Sequence, residues 1–106
     1  MKVLLDECLP IAFRHSFPTH EVHTAEWAGF KGLKNGNLLR EAERAGYAAF
    51  VTADQGILHQ QNYFGLGIAI VVVTSPTNKI EDLLTRVQAI EQALANLAPG
   101  SLVRIP

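Results

Sequence analysis

Residues Ile68 to Val73 read IAIVVV, six consecutive apolar positions of which five are β-branched. A strand that is apolar on both faces must be covered on both, which is the condition of a strand inside a parallel sheet flanked by helices. Working upstream, Ala48 to Val51 is a second such run, followed by Thr52-Ala53-Asp54, and Lys2 to Leu5 is a third, closed by Asp6-Glu7. Glu21-Val22-His23-Thr24 alternates more weakly and Leu102 to Ile105 reads as an edge strand. Between these runs the period changes. Leu38, Leu39, Ala42 and Ala45 recur at helical spacing up to Gly46, a residue suited to a helix C-terminus. Ile80, Leu83, Leu84, Val87, Ile90, Leu94 and Leu97 predict one continuous helix, entered through Asn78 with Glu81 three residues on and ended by Pro99-Gly100. Pro10 to Ser16 predicts a short helix, and Gln55 to Gln60 a further turn. Strands alternating with helices imply right-handed crossovers, so the expected fold class is α/β, with a mainly parallel sheet of about five strands between helices.

Length and composition support one such unit. The chain has 106 residues, enough for a single core and too few for two. Apolar residues make up 48% and charged residues 18%, which excludes a disordered chain. Nine Lys and Arg against ten Asp and Glu give a formal charge of -1, so no global basic field draws nucleic acid to the surface. Cys8 is the single cysteine and excludes both an internal disulfide and a multi-thiolate zinc site. Asp6 and Glu7 interrupt the N-terminal apolar run before it reaches signal-peptide length, and no apolar stretch approaches the 18 or so residues of a membrane span. The expectation is a cytoplasmic protein with no membrane partner.

In open α/β sheets ligands bind beyond the carboxyl ends of the strands, so the residues just after each apolar run carry the functional reading. Those residues are Asp6-Glu7, Thr52-Ala53-Asp54 and Thr74-Ser75, predicted to converge on one rim. Carboxylates gathered in this way repel one another unless a cation lies between them, and an oxygen-only donor set suits Mg2+ or Mn2+. The same residues have a structural reading, in which Asp6 caps the next helix, Glu7 faces solvent and Asp54 opens the turn before Ile57. The sequence shows no Ser/His/Asp arrangement, Gly-rich phosphate loop or Cys/His cluster. What remains open to an acid-held divalent ion is hydrolysis of a phosphodiester, which needs no covalent nucleophile from the protein.

Three stretches, MKVLLDECLP, HEVHTAEWAGFKGLKNGNLLREAE and FVTADQGILHQQN, resemble in order and spacing the small PIN-like domain family of predicted toxin nucleases from bacterial toxin-antitoxin systems. The resemblance runs from Met1 to about Pro106. It rests on the Leu-Asp-Glu opening, the Thr-x-Asp after the third apolar run, and the GLKNG and QQN segments. It implies a PIN-like three-layer α/β/α sandwich and a magnesium- or manganese-dependent ribonuclease. In it Asp6 and Asp54 would be catalytic metal ligands and Glu7 an auxiliary catalytic acid, with an RNA substrate and a small antitoxin protein as partners. The chain departs from the family pattern at Asn35 and Asn37, where related chains tend to carry an acid, and at Gly56, where many carry another.

Asn37 offers either a neutral oxygen to a metal or an N-cap to the helix beginning at Leu38, and short polar side chains favour the cap. Asn35-Gly36 reads first as a turn, and Thr52 is a possible accessory to the acids. Lys34, with Arg14, Lys31 and Arg40, reads first as ordinary solvated charge and second as a local rim of cations for a phosphate, while Gln60 and Asn62 read either as a solvated loop or as groups that reach a phosphate or ribose hydroxyl from the same rim. The four histidines match no metal-ligand spacing. Phe50 and Trp27 are read as core residues rather than base-stacking platforms, because no basic groove accompanies them. Cys8 is read as a small buried side chain. Two further functions fit the same residues. One is a PIN-like module that has lost part of its acid set and acts by binding a partner or nucleic acid. The other is a receiver-like phosphoacceptor domain with Asp54 as acceptor, although no lysine follows Leu102 to Ile105 as that design requires. A homodimer is compatible with all three.

Overall fold

An apolar run can bury both faces only inside a layered sheet, and the arrangement follows from that requirement. The computed structural model describes residues 1–59 and 65–106. In it β1 (Lys2–Leu5), β2 (Glu21–Thr24), β3 (Ala49–Thr52), β4 (Ala69–Val73) and β5 (Leu102–Ile105) form one sheet in the order β2-β1-β3-β4-β5. Every neighbouring pair is parallel. All residues of β3 and β4 are buried, whereas β2 and β5 at the edges are only partly so.

Alternate residues along each strand point to opposite faces, and each face has its own core. Val3 and Leu5 of β1, Val51 of β3 and Val71 and Val73 of β4 pack with Phe13, Leu83, Ile90 and Leu94. Leu4, Phe50, Ile70 and Val72 pack on the other face with Leu38, Leu39 and Ala42. The fold is an α/β/α sandwich with helices on both sides.

Helix α1 (Asn35–Arg44) ends as its sequence predicts. Gly46 adopts φ 93°, the Tyr47 N–H reaches the Ala42 carbonyl at 3.0 Å and the Gly46 N–H reaches Glu43 at 3.0 Å. This pattern closes a helix with a left-handed residue, which glycine adopts without the Cβ penalty. Its start differs from expectation. Lys34 holds the N-cap position without a side-chain cap, so Asn37 lies inside the first turn and is not the N-cap.

The continuous helix expected from Ile80 to Leu97 is two helices, α2 (Ile80–Leu84) and α3 (Val87–Ala95). The Thr85 hydroxyl donates to the Asp82 carbonyl at 2.7 Å, and Arg86 Nε donates to the Thr74 carbonyl at 3.0 Å. A hydroxyl bonded back to the preceding turn competes with the helical ladder, and the Arg86 bond ties the junction to the end of β4. Apolar periodicity survives the break because Leu83, Ile90 and Leu94 still meet one face of the sheet. The entry residue is also different: Lys79, not Asn78, holds the N-cap position without a side-chain cap, and the Thr77 hydroxyl accepts the Lys79 N–H at 3.1 Å and donates to Asp82.

The short segments are 3-10 helices at Ile11–Ser16 and Gln55–His59. In the first, Phe13 is fully buried and meets Phe17 edge-on, with ring centroids 5.1 Å apart. Phe13→Ala is expected to lower unfolding stability by about 3–5 kcal/mol. A urea titration showing a loss below about 1 kcal/mol would mean that this face of the sheet does not depend on that ring.

Candidate functional site

The chain passes from β1 to β2 on one side and returns to β3 on the other, so consecutive connections diverge between β1 and β3. Divergence of this kind opens a crevice at the carboxyl ends of the strands. A cavity of about 310 Å³ lies there, lined by Asp6, Glu7, Thr52 and Asp54 from the strand ends, with Lys34 and Leu38 from the start of α1. Phe50 and Ile57 add apolar wall.

Thr52 is the last residue of β3 and is completely buried. Its hydroxyl donates to Asp6 Oδ2 at 2.7 Å and accepts the Asp54 N–H at 3.0 Å. One side chain therefore joins the two loops that carry the acids. Asp6 itself still belongs to the ladder, since its N–H reaches the Val51 carbonyl at 2.9 Å. Asp6 Oδ1 accepts the Glu7 N–H at 2.8 Å, and the Cys8 thiol lies 3.6 Å from Oδ2. Asp54 is exposed and its Oδ1 accepts the Gly56 N–H at 2.9 Å, so it does open the turn before Ile57. A Cβ at residue 56 would stand 3.0 Å from Asp54 Oδ1, so a side chain there forces that carboxylate to move. Glu7 is exposed, and its Oε1 accepts the Gly32 N–H at 3.4 Å.

The other sequence candidates divide. Lys34 lines the cavity, whereas Asn37 Oδ1 accepts a bond from Arg40 Nη2 at 2.8 Å and Asn37 does not line it. Asn35 begins α1. Thr74-Ser75, at the end of β4, lies on the expected rim but does not line the cavity. Gln60 and Asn62 lie outside the described residues. Among the described residues, no three side chains of His, Cys, Asp or Glu come together as one cation site.

The expected placement of Trp27 in the core is wrong. Phe50 is buried, but Trp27 is 70% exposed and stacks on the His23 ring, with centroids 4.0 Å apart and planes 29° from parallel. His23 in turn bonds the Tyr47 hydroxyl at 2.7 Å. The sequence carried a signal for this position: Trp27 follows Thr24, whose hydroxyl accepts the Trp27 N–H at 3.1 Å and turns the chain off the end of β2. Cys8 is half-buried. Burial pushes its thiol above the ordinary range, and the charge of Asp6 adds to that effect. Burial likewise raises the Tyr47 hydroxyl, with a contribution from Glu21.

No family model, curated protein or solved structure matches the chain.

Two outcomes follow. Thr52→Val keeps the shape but removes a donor to Asp6 and an acceptor for Asp54, and is expected to cost about 1–3 kcal/mol, while Thr52→Ser keeps the larger part. Equal stability of the valine and serine variants in urea would show that the hydroxyl does not hold the rim. Cys8 and Tyr47 both favour their protonated forms in the fold, so their contribution is complete below their unfolded values and is lost as pH rises through the folded ones. The urea midpoint should fall above about pH 9, and fall less in the Cys8→Ala/Tyr47→Phe double variant; parallel curves for the two proteins would refute this.

Proposed function

We propose that the protein is a divalent-metal-dependent ribonuclease of PIN-like type, with Asp6 and Asp54 as the metal ligands. The observation that carries the reading is that the Asp6-Glu7 pair and Asp54, far apart in sequence, line one cavity at the switch point of the sheet. The donor set fits Mg2+ or Mn2+, because it consists of carboxylate oxygens and this class of ion is commonly held by one or two carboxylates, with water and substrate phosphate completing the shell. Two carboxylates are therefore sufficient where three are not assembled. A divalent ion at this place supplies phosphate polarisation and water activation.

The protein's own residues account for the rest. Thr52 fixes the Asp6 carboxylate through its hydroxyl. Glu7 keeps one carboxylate oxygen off the Gly32 bond, available to take a proton from the attacking water. The start of α1 has no side-chain cap and no acid in its first turn, and with Lys34 it gives the cavity a positive edge suited to a phosphate. The resemblance of the sequence adds a small antitoxin as partner and leaves room for a homodimer.

A second reading has its own support. Asn37 is engaged with Arg40, and among the described residues no third His, Cys, Asp or Glu joins the two aspartates, as expected of a module that binds RNA or a partner without cutting it. Cleavage of a mixed single-stranded RNA separates the two. Wild type should cut in Mn2+ or Mg2+ and not in EDTA, and Asp6→Asn and Asp54→Asn should each lose at least about a hundredfold in rate. Equal cleavage by wild type and both variants would overturn the nuclease assignment in favour of the binding module.

A further inference from the structure

The acid-lined cavity has neighbouring depressions along the same rim that share its lining residues in turn. The next, about 260 Å³, shares Asp6 and Glu7 with it and also touches Ile11, Thr24, Glu26 and Lys31. A third, about 450 Å³, shares Ile11, Thr24 and Glu26 with the second and is walled by Arg14, His23 and Trp27. A track of adjoining depressions with shared walls therefore lies between the aspartates and the exposed tryptophan.

Three features at its far end point to one chemistry. Trp27 is held as a shelf: its N–H is bonded to Thr24 and its ring lies on His23, so the indole presents a large exposed aromatic surface already ordered. An ordered ring loses little conformational entropy when a planar ligand stacks on it. Glu26 is paired with Lys31 at 3.7 Å, whereas Arg14 takes part in none of the ion pairs among the described residues, leaving its guanidinium for an anion. An aromatic shelf and an unpaired cation in one depression, with the carboxylates further along the same rim, correspond to base, phosphate and metal.

We propose that single-stranded RNA lies along this rim with one base stacked on Trp27 and the adjoining phosphate on Arg14, its chain leading into the cavity of Asp6 and Asp54. This rests on the ribonuclease reading for its direction and extends it to a nucleotide subsite. A protein partner seated on the Ile11 and Trp27 surface is the competing occupant. The track favours RNA because it opens directly onto the acids and pairs an aromatic face with a cation.

Trp27 is the only tryptophan, so intrinsic emission reports this subsite alone. Titration of wild-type protein in EDTA with oligouridylate and oligoadenylate is expected to quench that emission at saturation. With a fluorescein-labelled oligonucleotide read by anisotropy, Trp27→Ala should weaken binding about tenfold and Trp27→Phe should restore most of it. Arg14→Ala should lower the slope of log affinity against log salt by about one. Unchanged emission with saturating oligonucleotide, or equal affinity of wild type and Trp27→Ala, overturns the subsite. So does a dimer in sedimentation that Trp27→Ala converts to monomer while RNA affinity is unaltered. Cleavage is read separately by gel in Mn2+: cutting without quenching removes the subsite and leaves the nuclease, and quenching without cutting removes the nuclease and leaves the subsite.

Discussion

The hydroxyl of Thr52 is bonded on one side to a carboxylate and on the other to a backbone N–H, and the geometry of the rim depends on that pair of bonds. A buried hydroxyl without partners costs free energy, and so does a desolvated carboxylate without donors. Here each solves the other's problem. Because β1 and β3 are direct neighbours in the sheet, a single side chain spans from the last residue of one to the first residue beyond the other. Asp6 is thereby fixed by the ladder, by Glu7 and by Thr52 together, whereas Asp54 is held through its backbone and one Asx-type bond to Gly56. The two acids are positioned to different degrees, with Asp6 the more rigid.

The sheet was legible because its residues leave few alternatives. IAIVVV has no polar face to turn to water, so β4 had to be interior, and the acids after Leu5 and Val51 marked where burial ended. Gly46 marked the end of α1 through a conformation that other residues avoid. Apolar spacing did not reveal the break between α2 and α3, since its period continues across the junction. What divides the helix is a hydroxyl and a guanidinium that bond to carbonyls, and Thr85 and Arg86 have no hydrophobic signature.

For the site, Asp6, Glu7, Thr52 and Asp54 were legible as neighbours of one cavity because strand ends of a parallel sheet share an edge whatever the loops do, and Lys34 joins them from the start of α1. Helix-borne candidates were less tractable. Whether Asn37 caps, ligates or pairs depends on where the first turn begins, and that shifts by three residues with the uncapped Lys34 start. Trp27 was assigned to the core for want of a basic groove beside it, but β2 is an edge strand, and the chain leaving it has sheet on one side only.

On the proposed reading, the near-neutral charge of the chain sets how RNA is held. A protein that relies on counterion release needs many phosphate contacts, and this rim offers Arg14, Lys34 and the start of α1, with Lys31 already paired to Glu26. Acids at one end of the track would repel a phosphate until a cation neutralises them, so binding near Asp6 and Asp54 is coupled to metal while binding at Trp27 is not. Stacking is insensitive to salt and to the metal. The aromatic end can therefore capture a strand in the absence of the ion, and the ion then decides whether the strand descends to the acids. That division gives Trp27 a part in affinity and the aspartates a part in commitment, and it follows from placing the only exposed indole on the same rim as the carboxylates.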